Sequence, residues 1–232
     1  MSIIVVSGTG TEIGKTIVTA ALAAVATREG RSVAVLKPAQ TGLAPGERGD
    51  ADEVVRLSGA ATSLELARFP EPLAPATAAR RAAMTPVGPR EVAEAAGKLA
   101  AEHDLVLVEG AGGLLVRFDH DGGTLADAAR LLGAPVLVVT PAGLGTLNST
   151  ALTAEALAAR GIEQLGVVVG SWPSAPDLAS RCNLADLPEA AGAPLLGAVP
   201  EGAGGLDPDV FRAEAARWLA PALGGTWAAD TL

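Results

Sequence analysis

The segment from residue 8 to residue 16 has the residue types of a phosphate-binding loop. It reads GTGTEIGKT, follows the apolar run Ile3–Val6 and precedes an alanine-rich stretch, which is the strand, loop and helix order that such a loop requires. Backbone N–H groups would bind phosphate, Lys15 would reach the terminal phosphates, and the Thr16 hydroxyl would bind Mg²⁺. The predicted nucleoside triphosphate site consists of Gly8, Thr9, Gly10, Thr11, Glu12, Ile13, Gly14, Lys15 and Thr16.

Two positions offer the carboxylates that the metal ion of such a site requires. Glu109 ends an apolar run and is followed by glycines. An acid at the tip of a buried strand caps a turn or holds a cation, and the neighbouring nucleotide site favours the cation. Asp50 is the second candidate, although Asp50 and Asp52 both begin a helical segment and could be N-caps. The predicted metal ligands are Thr16, Asp50 and Glu109.

A second lysine is expected to point at the same place as Lys15. Lys37 closes the apolar run that begins at Val33, and ligands of parallel sheets bind beyond the carboxyl ends of the strands. Two ammonium groups there would neutralise a transferring phosphoryl group and a second anion beside it. We predict that Lys15 and Lys37 are catalytic. We also expect Lys37 to be exposed at its strand end and to contribute little to stability.

Glu12 is an unusual residue for a loop that wraps around phosphate. A carboxylate about 4 Å from a phosphate charge would cost on the order of 4 kcal/mol at an effective dielectric constant near 20. Glu12 therefore either points to solvent or faces a cation, and the sequence leaves both interpretations open. A positively charged substrate beside the γ-phosphate would supply that cation, so an amine acceptor is the functional interpretation.

Short β-branched segments alternate with segments rich in alanine and leucine along the whole chain. Several strand segments are nearly continuous apolar runs, which is typical of strands covered on both faces. The alternation predicts an α/β fold: one domain over residues 1–232, with a doubly wound, mainly parallel sheet and helices on both faces, as in P-loop NTPases. The predicted strands are Ile3–Ser7, Val33–Lys37, Leu105–Glu109, Val136–Thr140, Leu165–Gly170 and Leu195–Val199.

Helices are predicted between these strands, and glycines at positions 30, 59, 133 and 161 mark several of their ends. The uncharged stretch 131–154 contains prolines and polar residues, which indicates a strand, a loop and a helix start rather than a membrane span. Residues 70–89 are expected to be an irregular excursion over the surface. The predicted helices are Lys15–Glu29, Asp50–Ser58, Arg90–Glu102, Thr124–Leu132, Leu147–Arg160 and Asp209–Leu219.

Composition and charge exclude several classes of protein. A hydrophobic content of 49%, with 28 glycines and 16 prolines, indicates a globular protein. The net charge of −9 and the absence of a basic stretch argue against nucleic acid as a partner. Cys182 is the only cysteine, so we expect a reducing compartment, the cytoplasm, and a small semi-buried side chain. His103 and His120 are assigned no role.

Taken together, these motifs resemble the dethiobiotin synthetase family, ATP-dependent carboxylases that close the ureido ring in biotin synthesis. The resemblance runs nearly end to end, and the long spacing in the phosphate loop is a trait of that family. It includes GTGTEIGKT at 8–16, KPAQTG at 37–42, GDADEVVRLSG at 49–59, VEGAGGLLV at 108–116, GLGTLNSTALTAEAL at 143–157 and VVGSWP at 168–173.

The resemblance implies a reaction of 7,8-diaminononanoate, CO2 and ATP. CO2 would form a carbamate on one amine, ATP would phosphorylate the carbamate, and the second amine would attack with loss of phosphate. In that scheme Lys15 and Lys37 would stabilise the carbamate and the γ-phosphoryl oxygens. Thr16, Asp50 and Glu109 would hold Mg²⁺.

The resemblance also implies a homodimer, in which the start of one helix reaches the substrate carboxylate across the interface. A helix N-terminus favours an anion, so this arrangement is physically reasonable. No nucleic acid or membrane partner is expected. The implied substrate-binding residues are Thr11, Glu12, Lys37, Thr41, Gly145, Thr146, Leu147 and Asn148.

The sequence departs from the family pattern at two positions. Gly10 stands where many members have aspartate, and Ser171 stands where many have an asparagine that reads the base. The nucleotide is therefore ATP or another nucleoside triphosphate. Trp172 could belong to the core or form a platform for the base. The implied contacts with the nucleoside are Gly170, Ser171, Trp172, Pro173, Pro200 and Glu201.

Two other functions are compatible with the loop and the sheet. A cobyrinate-type amide synthetase would need a glutaminase domain and a catalytic cysteine, which do not fit into this chain. An ATPase switch of the plasmid-partition or division-site type would carry a second lysine five positions before the main one, where this chain has Gly10. It would also be expected to have a basic surface or a C-terminal amphipathic helix.

Overall fold

The computed structural model describes residues 2–60 and 62–229, and a seven-stranded sheet lies at its centre. All its strand pairs are parallel, and the order is β3-β2-β4-β1-β5-β6-β7. The strands are β1 (Ser2–Gly8), β2 (Val33–Thr41), β3 (Thr62–Phe69), β4 (Leu105–Gly113), β5 (Val136–Thr140), β6 (Gln164–Trp172) and β7 (Leu195–Pro200).

Helices cover both faces of the sheet, and each face has its own apolar core. The core on one face takes residues such as Val18 from the first helix and Leu57 from the second, and the other takes Val92 and Leu125. The predicted α/β fold with a doubly wound parallel sheet is confirmed. The helices are α1 (Lys15–Arg28), α2 (Asp50–Ser58), α3 (Pro75–Ala82), α4 (Pro89–Glu102), α5 (Leu125–Leu132), α6 (Thr146–Ala158), α7 (Leu178–Ala191) and α8 (Pro208–Glu214).

The strand order places the phosphate loop where ligands bind in such sheets. Strand β1 lies between β4 and β5, and the chain connections diverge from it toward the two edges. The crevice beyond the carboxyl ends of such strands is the usual ligand site. The end of β1, the end of β4 and the extended end of β2 therefore form one site.

Three elements were absent from the sequence-based expectation. Strand β3 pairs with β2 from Ala34 to Thr41, so β2 continues four residues beyond its predicted end at Lys37. Helix α3 lies within the segment 70–89 that was expected to be irregular, and its buried residues Ala78 and Ala79 pack near Phe69. Helix α7 begins at an Asp177 cap.

Two further expectations were wrong. The predicted helix Asp209–Leu219 ends at Glu214 and continues as a 3-10 turn over Ala215–Arg217, because Leu219 forms an antiparallel bridge with Gly197. Cys182 is exposed on α7 instead of semi-buried. The stretch 131–154 is strand, loop and helix as predicted. Within the described ranges, no helix is long and apolar enough to cross a membrane.

Candidate active site

The phosphate loop connects β1 to α1 through a backbone that only certain residues can adopt. Gly14 has a φ of 92° and is the N-cap of α1, in the left-handed region that glycine adopts at no steric cost. Lys15 is the first residue of α1, and its ammonium donates a 2.7 Å hydrogen bond to the carbonyl of Gly10. The lysine thus folds back over the loop, and its side chain is buried. This is the position from which it can reach phosphates bound by the loop.

The loop rests directly on the carboxyl end of β6. A Cβ added to Gly14 would overlap the carbonyl oxygen of Gly170, and one added to Gly170 would overlap the carbonyl oxygen of Ile13. Both glycines are therefore needed for the close approach of two backbones. Gly170 was predicted to contact the nucleoside, and its packing against the loop was not predicted.

An ionic cluster lies beyond the loop, in which Lys37 and Glu109 are buried and Asp50 is partly exposed. The ammonium of Lys37 is 2.5 Å from Asp50 Oδ2 and 2.9 Å from Glu109 Oε1, and it also donates to the carbonyl of Gly110 at 3.2 Å. The Thr16 hydroxyl donates to the same Glu109 oxygen at 2.8 Å. The residues predicted to carry catalysis and metal binding are thus brought together at one edge of the sheet.

The expectation that Lys37 is exposed was wrong. Lys37 is 3% exposed, because it lies inside β2, pairs with β3 at Glu65, and its ammonium is covered by Asp50 at the start of α2. Burial alone would lower the pKa of Lys37, but the carboxylates of Glu109 and Asp50 outweigh burial and raise that pKa above its ordinary value. The ammonium therefore stays charged in the folded protein.

The two lysines influence each other electrostatically. Burial, with a smaller contribution from the positive charge of Lys37, lowers the pKa of Lys15. This repulsion acts between two lysines that line the same cavity. An anion placed between them would be attracted by both and would relieve the repulsion.

Glu109 has the geometry expected of a cation ligand. The residue is 1% exposed, and its second oxygen, Oε2, is buried without a hydrogen-bond partner in the described part of the chain. A buried carboxylate oxygen without a partner is costly unless it meets a cation. No group of three or more His, Cys, Asp or Glu with metal-binding geometry occurs among the described residues, and the predicted set combines two carboxylates with the Thr16 hydroxyl.

The structure gives the two aspartates at the start of α2 different roles. Asp52 accepts a 3.1 Å hydrogen bond from the backbone N–H of Gly49, so it caps the start of α2. Asp50 pairs with Lys37, and its backbone N–H donates to Gln40 Oε1 at 2.9 Å. Gln40, which is buried and which the sequence analysis did not single out, therefore positions Asp50. The feature of the sequence that could have indicated this role is that Gln40 is a polar residue inside a strand.

A cavity of about 750 Å³ opens in front of this cluster. Glu12 lies on its wall with a φ of 58°, and its side chain is exposed. Thr11 and Thr41 line the same cavity, as predicted for a substrate site. Residues 72–75, which lead into α3, also line the cavity, and this contribution was missed because the segment was expected to be irregular.

The predicted nucleoside contacts lie together beside the loop. The backbone N–H of Glu201 donates to the carbonyl of Trp172 at 2.7 Å, and Pro200 pairs with Trp172 across β6 and β7. Ser171 is exposed, and Trp172 is 9% exposed within the core. Of the two roles left open for Trp172, this burial supports packing.

The predicted carboxylate site at 145–148 begins α6 and does not line the cavity of its own chain. Gly145 is the N-cap with a φ of 95°. The preceding residue, Leu144, is 94% exposed. This part of the predicted substrate site is therefore separate from the cluster around Lys37 within one chain.

Comparison with known proteins decides between the families that share this loop. The ATP-dependent dethiobiotin synthetase of Streptomyces avermitilis is 74% identical over 231 residues, which cover 100% of this chain and 97% of that protein. The chain belongs to the dethiobiotin synthetase family. The family members of Saccharopolyspora erythraea and Rhodococcus jostii are 70% identical over 227 residues and 56% identical over 232 residues, with at least 98% of each chain covered. A family described as an AAA domain matches residues 2–204.

Solved structures show how widely the fold is shared beyond the dethiobiotin synthetase family. A ParA family ATPase from Chlorobium tepidum superposes with a TM-score of 0.59 at 12% identity, covering 96% of both chains. The cell division ATPase MinD of Pyrococcus furiosus gives a TM-score of 0.52 at 21% identity, covering 95% of this chain and 89% of that one. At such identities the likeness concerns the fold alone.

Proposed function

We propose that this protein, as one domain over residues 1–232, is a dethiobiotin synthetase that converts 7,8-diaminononanoate and CO2 to dethiobiotin with hydrolysis of MgATP to ADP and phosphate. The observation that carries the proposal is the ionic cluster of buried Lys37, buried Glu109 and partly exposed Asp50, which lines the same cavity as Lys15. Relatives named ATP-dependent dethiobiotin synthetase cover almost the whole chain at up to 74% identity. The single cysteine suits the cytoplasm, where we place the enzyme.

The chemistry follows from what the two lysines can hold. A carbamate formed from CO2 and one amine of the substrate is an anion, and its oxygen must approach the γ-phosphoryl group, which is also anionic. Lys15 and Lys37, which are both buried, would balance both charges, since fixed charges act most strongly where water is excluded from them. The carbamate oxygen bonds to phosphorus and ADP leaves. The second amine then bonds to the carbamoyl carbon, the carbon–oxygen bond to phosphate breaks, and a proton is released.

Mg²⁺ fits the residues that surround the phosphate loop. Thr16, Asp50 and Glu109 would hold it, since hard oxygen ligands suit this ion and Glu109 Oε2 is buried without a partner among the described residues. When bound, the ion would neutralise part of the negative charge of the phosphates. Lys37 already contacts two of these three residues, so the ion and the ammonium would share the same carboxylates.

Glu12 would bind an amine of the substrate. It belongs to the phosphate loop, and its side chain is exposed on the cavity wall. An ammonium or amine that lies beside the γ-phosphate would remove the repulsion between this carboxylate and the nucleotide. Thr11 and Thr41, which line the same cavity, would add hydrogen bonds.

We further propose a homodimer whose interface includes α6. Large apolar side chains are exposed there, with Leu144 at 94%, Leu152 at 59% and Leu178, at the start of α7, at 69%. Exposed apolar groups clustered on neighbouring helices mark interaction surfaces. In such a dimer the N–H groups at residues 145–148 of one subunit would reach the substrate carboxylate in the other, which accounts for their separation from the cavity of their own chain.

The nucleoside base would lie near Ser171 and Glu201, beyond the ends of β6 and β7. Ser171 is exposed, and it offers a hydroxyl at the position where many family members have the side-chain amide of an asparagine that reads the base. ATP is the co-substrate named for the relatives, and another triphosphate is the alternative. Titration of the purified protein with ATP, CTP, GTP and UTP separates these possibilities.

Product formation tests the proposed function. Purified protein with MgATP, bicarbonate and 7,8-diaminononanoate should form dethiobiotin, and hydrolysis without the diamine should stay low. Nucleotide hydrolysis that DNA or lipid vesicles stimulate, and that ignores the diamine, would instead favour an ATPase switch of the ParA or MinD type, whose fold is similar. Glutamine-dependent amide formation would favour an amide synthetase.

A further inference from the structure

A cluster of threonine hydroxyls joins the phosphate loop to the start of α6. The hydroxyl of Thr140, at the carboxyl end of β5, lies 2.5 Å from that of Thr146, 2.9 Å from that of Thr150 and 3.3 Å from that of Thr9. Thr140, Thr146 and Thr150 are at most 1% exposed. Because a hydroxyl donates one hydrogen bond and accepts two, these three neighbours fill the capacity of Thr140.

The cluster fixes α6 relative to the nucleotide site. Thr9 belongs to the phosphate loop, and its backbone N–H donates to the carbonyl of Val139 at 2.9 Å. Thr146 and Thr150 are four residues apart and therefore lie on one face of α6. Their bonds to Thr140 set the rotation of α6 about its axis, and hence the direction of the N–H groups at its start.

A second buried side chain holds the same turn from the other side. The amide of Asn183, on α7, donates to the carbonyls of Ala142 and Gly143 at 2.7 and 3.1 Å. Asn183 is 6% exposed. The segment between β5 and α6 is thus fixed by polar groups that do not line the cavity, which is typical of positioning and not of direct substrate contact.

We propose that Thr140 is a positioning residue that couples the nucleotide loop to the substrate-carboxylate site at the start of α6, so that bound nucleotide raises the affinity for the diamine. This inference rests on the proposed function. Removal of the Thr140 hydroxyl leaves the buried hydroxyls of Thr146 and Thr150 without a hydrogen-bond partner, which is costly. Helix α6 then rotates about its axis so that these hydroxyls find other partners. The loop backbone and Lys15 bind the phosphates without Thr140, so the affinity for nucleotide alone changes little.

The test compares Thr140→Val with Thr140→Ser, which keeps the hydroxyl. Thr27→Val is the matched control, because the Thr27 hydroxyl on α1 is buried without a hydrogen-bond partner in the described residues. Calorimetry gives the Kd of 7,8-diaminononanoate with and without Mg²⁺ and a non-hydrolysable ATP analogue. Steady-state assays give kcat and the KM for the diamine.

In the unaltered protein the analogue is expected to raise diamine affinity about fivefold or more. In Thr140→Val this ratio falls to about one, and KM for the diamine rises about tenfold while kcat changes less than about twofold. Thr140→Ser and Thr27→Val retain the original ratio. If Thr140→Val does not fold, Thr150→Val removes one hydrogen bond of the cluster and should lower the ratio in part.

An unchanged ratio in Thr140→Val overturns the inference, and so does equal loss in the valine and serine variants, because the methyl group would then be what matters. An unaltered protein that forms dethiobiotin without any effect of nucleotide on diamine affinity also overturns it, while leaving the proposed function intact. Failure of the unaltered protein to form dethiobiotin removes the proposed function itself.

Discussion

Glu12 and Lys37 show what single residues contribute to this site. Glu12 has a φ of 58°, in a region that costs a non-glycine residue about 1 to 2 kcal/mol. Strain of this kind persists where the surrounding structure holds it, commonly at ligand sites. Lys37 carries a different cost, since a buried charge is tolerated only when it is paired. At both positions, holding a charge in place lowers the free energy of unfolding.

Glu12→Gln is expected to weaken the affinity for 7,8-diaminononanoate about tenfold and to leave the nucleotide affinity unchanged or higher. The substitution removes the charge that attracts an amine, about 1.4 kcal/mol per tenfold, and also removes a repulsion with phosphate. Glu163→Gln, at an exposed position directly before β6, is the matched control. Titration of each ligand separately makes the comparison, and equal losses for both ligands would contradict this role of Glu12.

Lys37→Met is expected to lower kcat at least about a hundredfold and to destabilise the fold by about 3 to 5 kcal/mol. The methionine fills a similar volume but leaves the buried Glu109 without its partner. Lys98→Met, on the exposed face of α4, should change neither property. Urea unfolding and steady-state kinetics measure both effects. A variant as stable as the unaltered protein would show that the buried pair is unimportant for folding.

At the scale of elements, the sequence predicted the features that depend on residues adjacent in the chain. It did not predict the features that depend on contacts between residues far apart in the chain. The phosphate loop was predicted because its nine residues are contiguous. The edge strand β3 was missed because Glu65 and Arg68, which pair with each other, interrupt its apolar pattern. Without β3, the continuation of β2 and the burial of Lys37 could not be predicted. The contact between Gly14 and Gly170 joins residues far apart in sequence, so only the fold reveals it.

Gly170→Ala is expected to reduce nucleotide affinity more than about tenfold and to destabilise the protein by at least about 1 to 3 kcal/mol. The added Cβ would overlap the carbonyl of Ile13 and displace the phosphate loop from β6. Gly97→Ala is the matched control, because Gly97 lies in the middle of α4 with nothing within 4 Å of a new Cβ. That variant should be neutral or more stable by up to about 1 kcal/mol. Thermal unfolding and nucleotide titration compare the two, and normal nucleotide binding in Gly170→Ala would contradict the role of the close approach.

At the scale of the whole molecule, the proposed substrate site is divided between two regions of the sheet edge. The cluster around Lys37 follows β1, β2 and β4, whereas the start of α6 follows β5 and lies outside the cavity of its own chain. A diamine with a carboxylate at its far end requires recognition at both ends. Assembly of two chains would bring the two halves of the site together.

Leu144→Asp is expected to convert a dimer into monomers and to weaken diamine binding while nucleotide binding is retained. A charge at a side chain that is 94% exposed costs the isolated chain little, but it would be buried unpaired in an interface. Val210→Asp, at an exposed position on α8, is the control. Sedimentation velocity at micromolar concentration makes the measurement. A monomeric unaltered protein that binds the diamine normally would contradict the proposed dimer.

The transfer of a phosphoryl group onto a carbamate oxygen, held between Lys15 and Lys37, is tested most directly with CO2 labelled with oxygen-18. If the carbamate is phosphorylated, the phosphate released with each dethiobiotin carries one oxygen from CO2, and the ureido carbonyl carries the other. Mass spectrometry of the phosphate during the first turnovers, before CO2 exchanges with water, shows this label. Unlabelled phosphate formed at the rate of dethiobiotin would contradict the convergence of the two lysines on a phosphorylated carbamate.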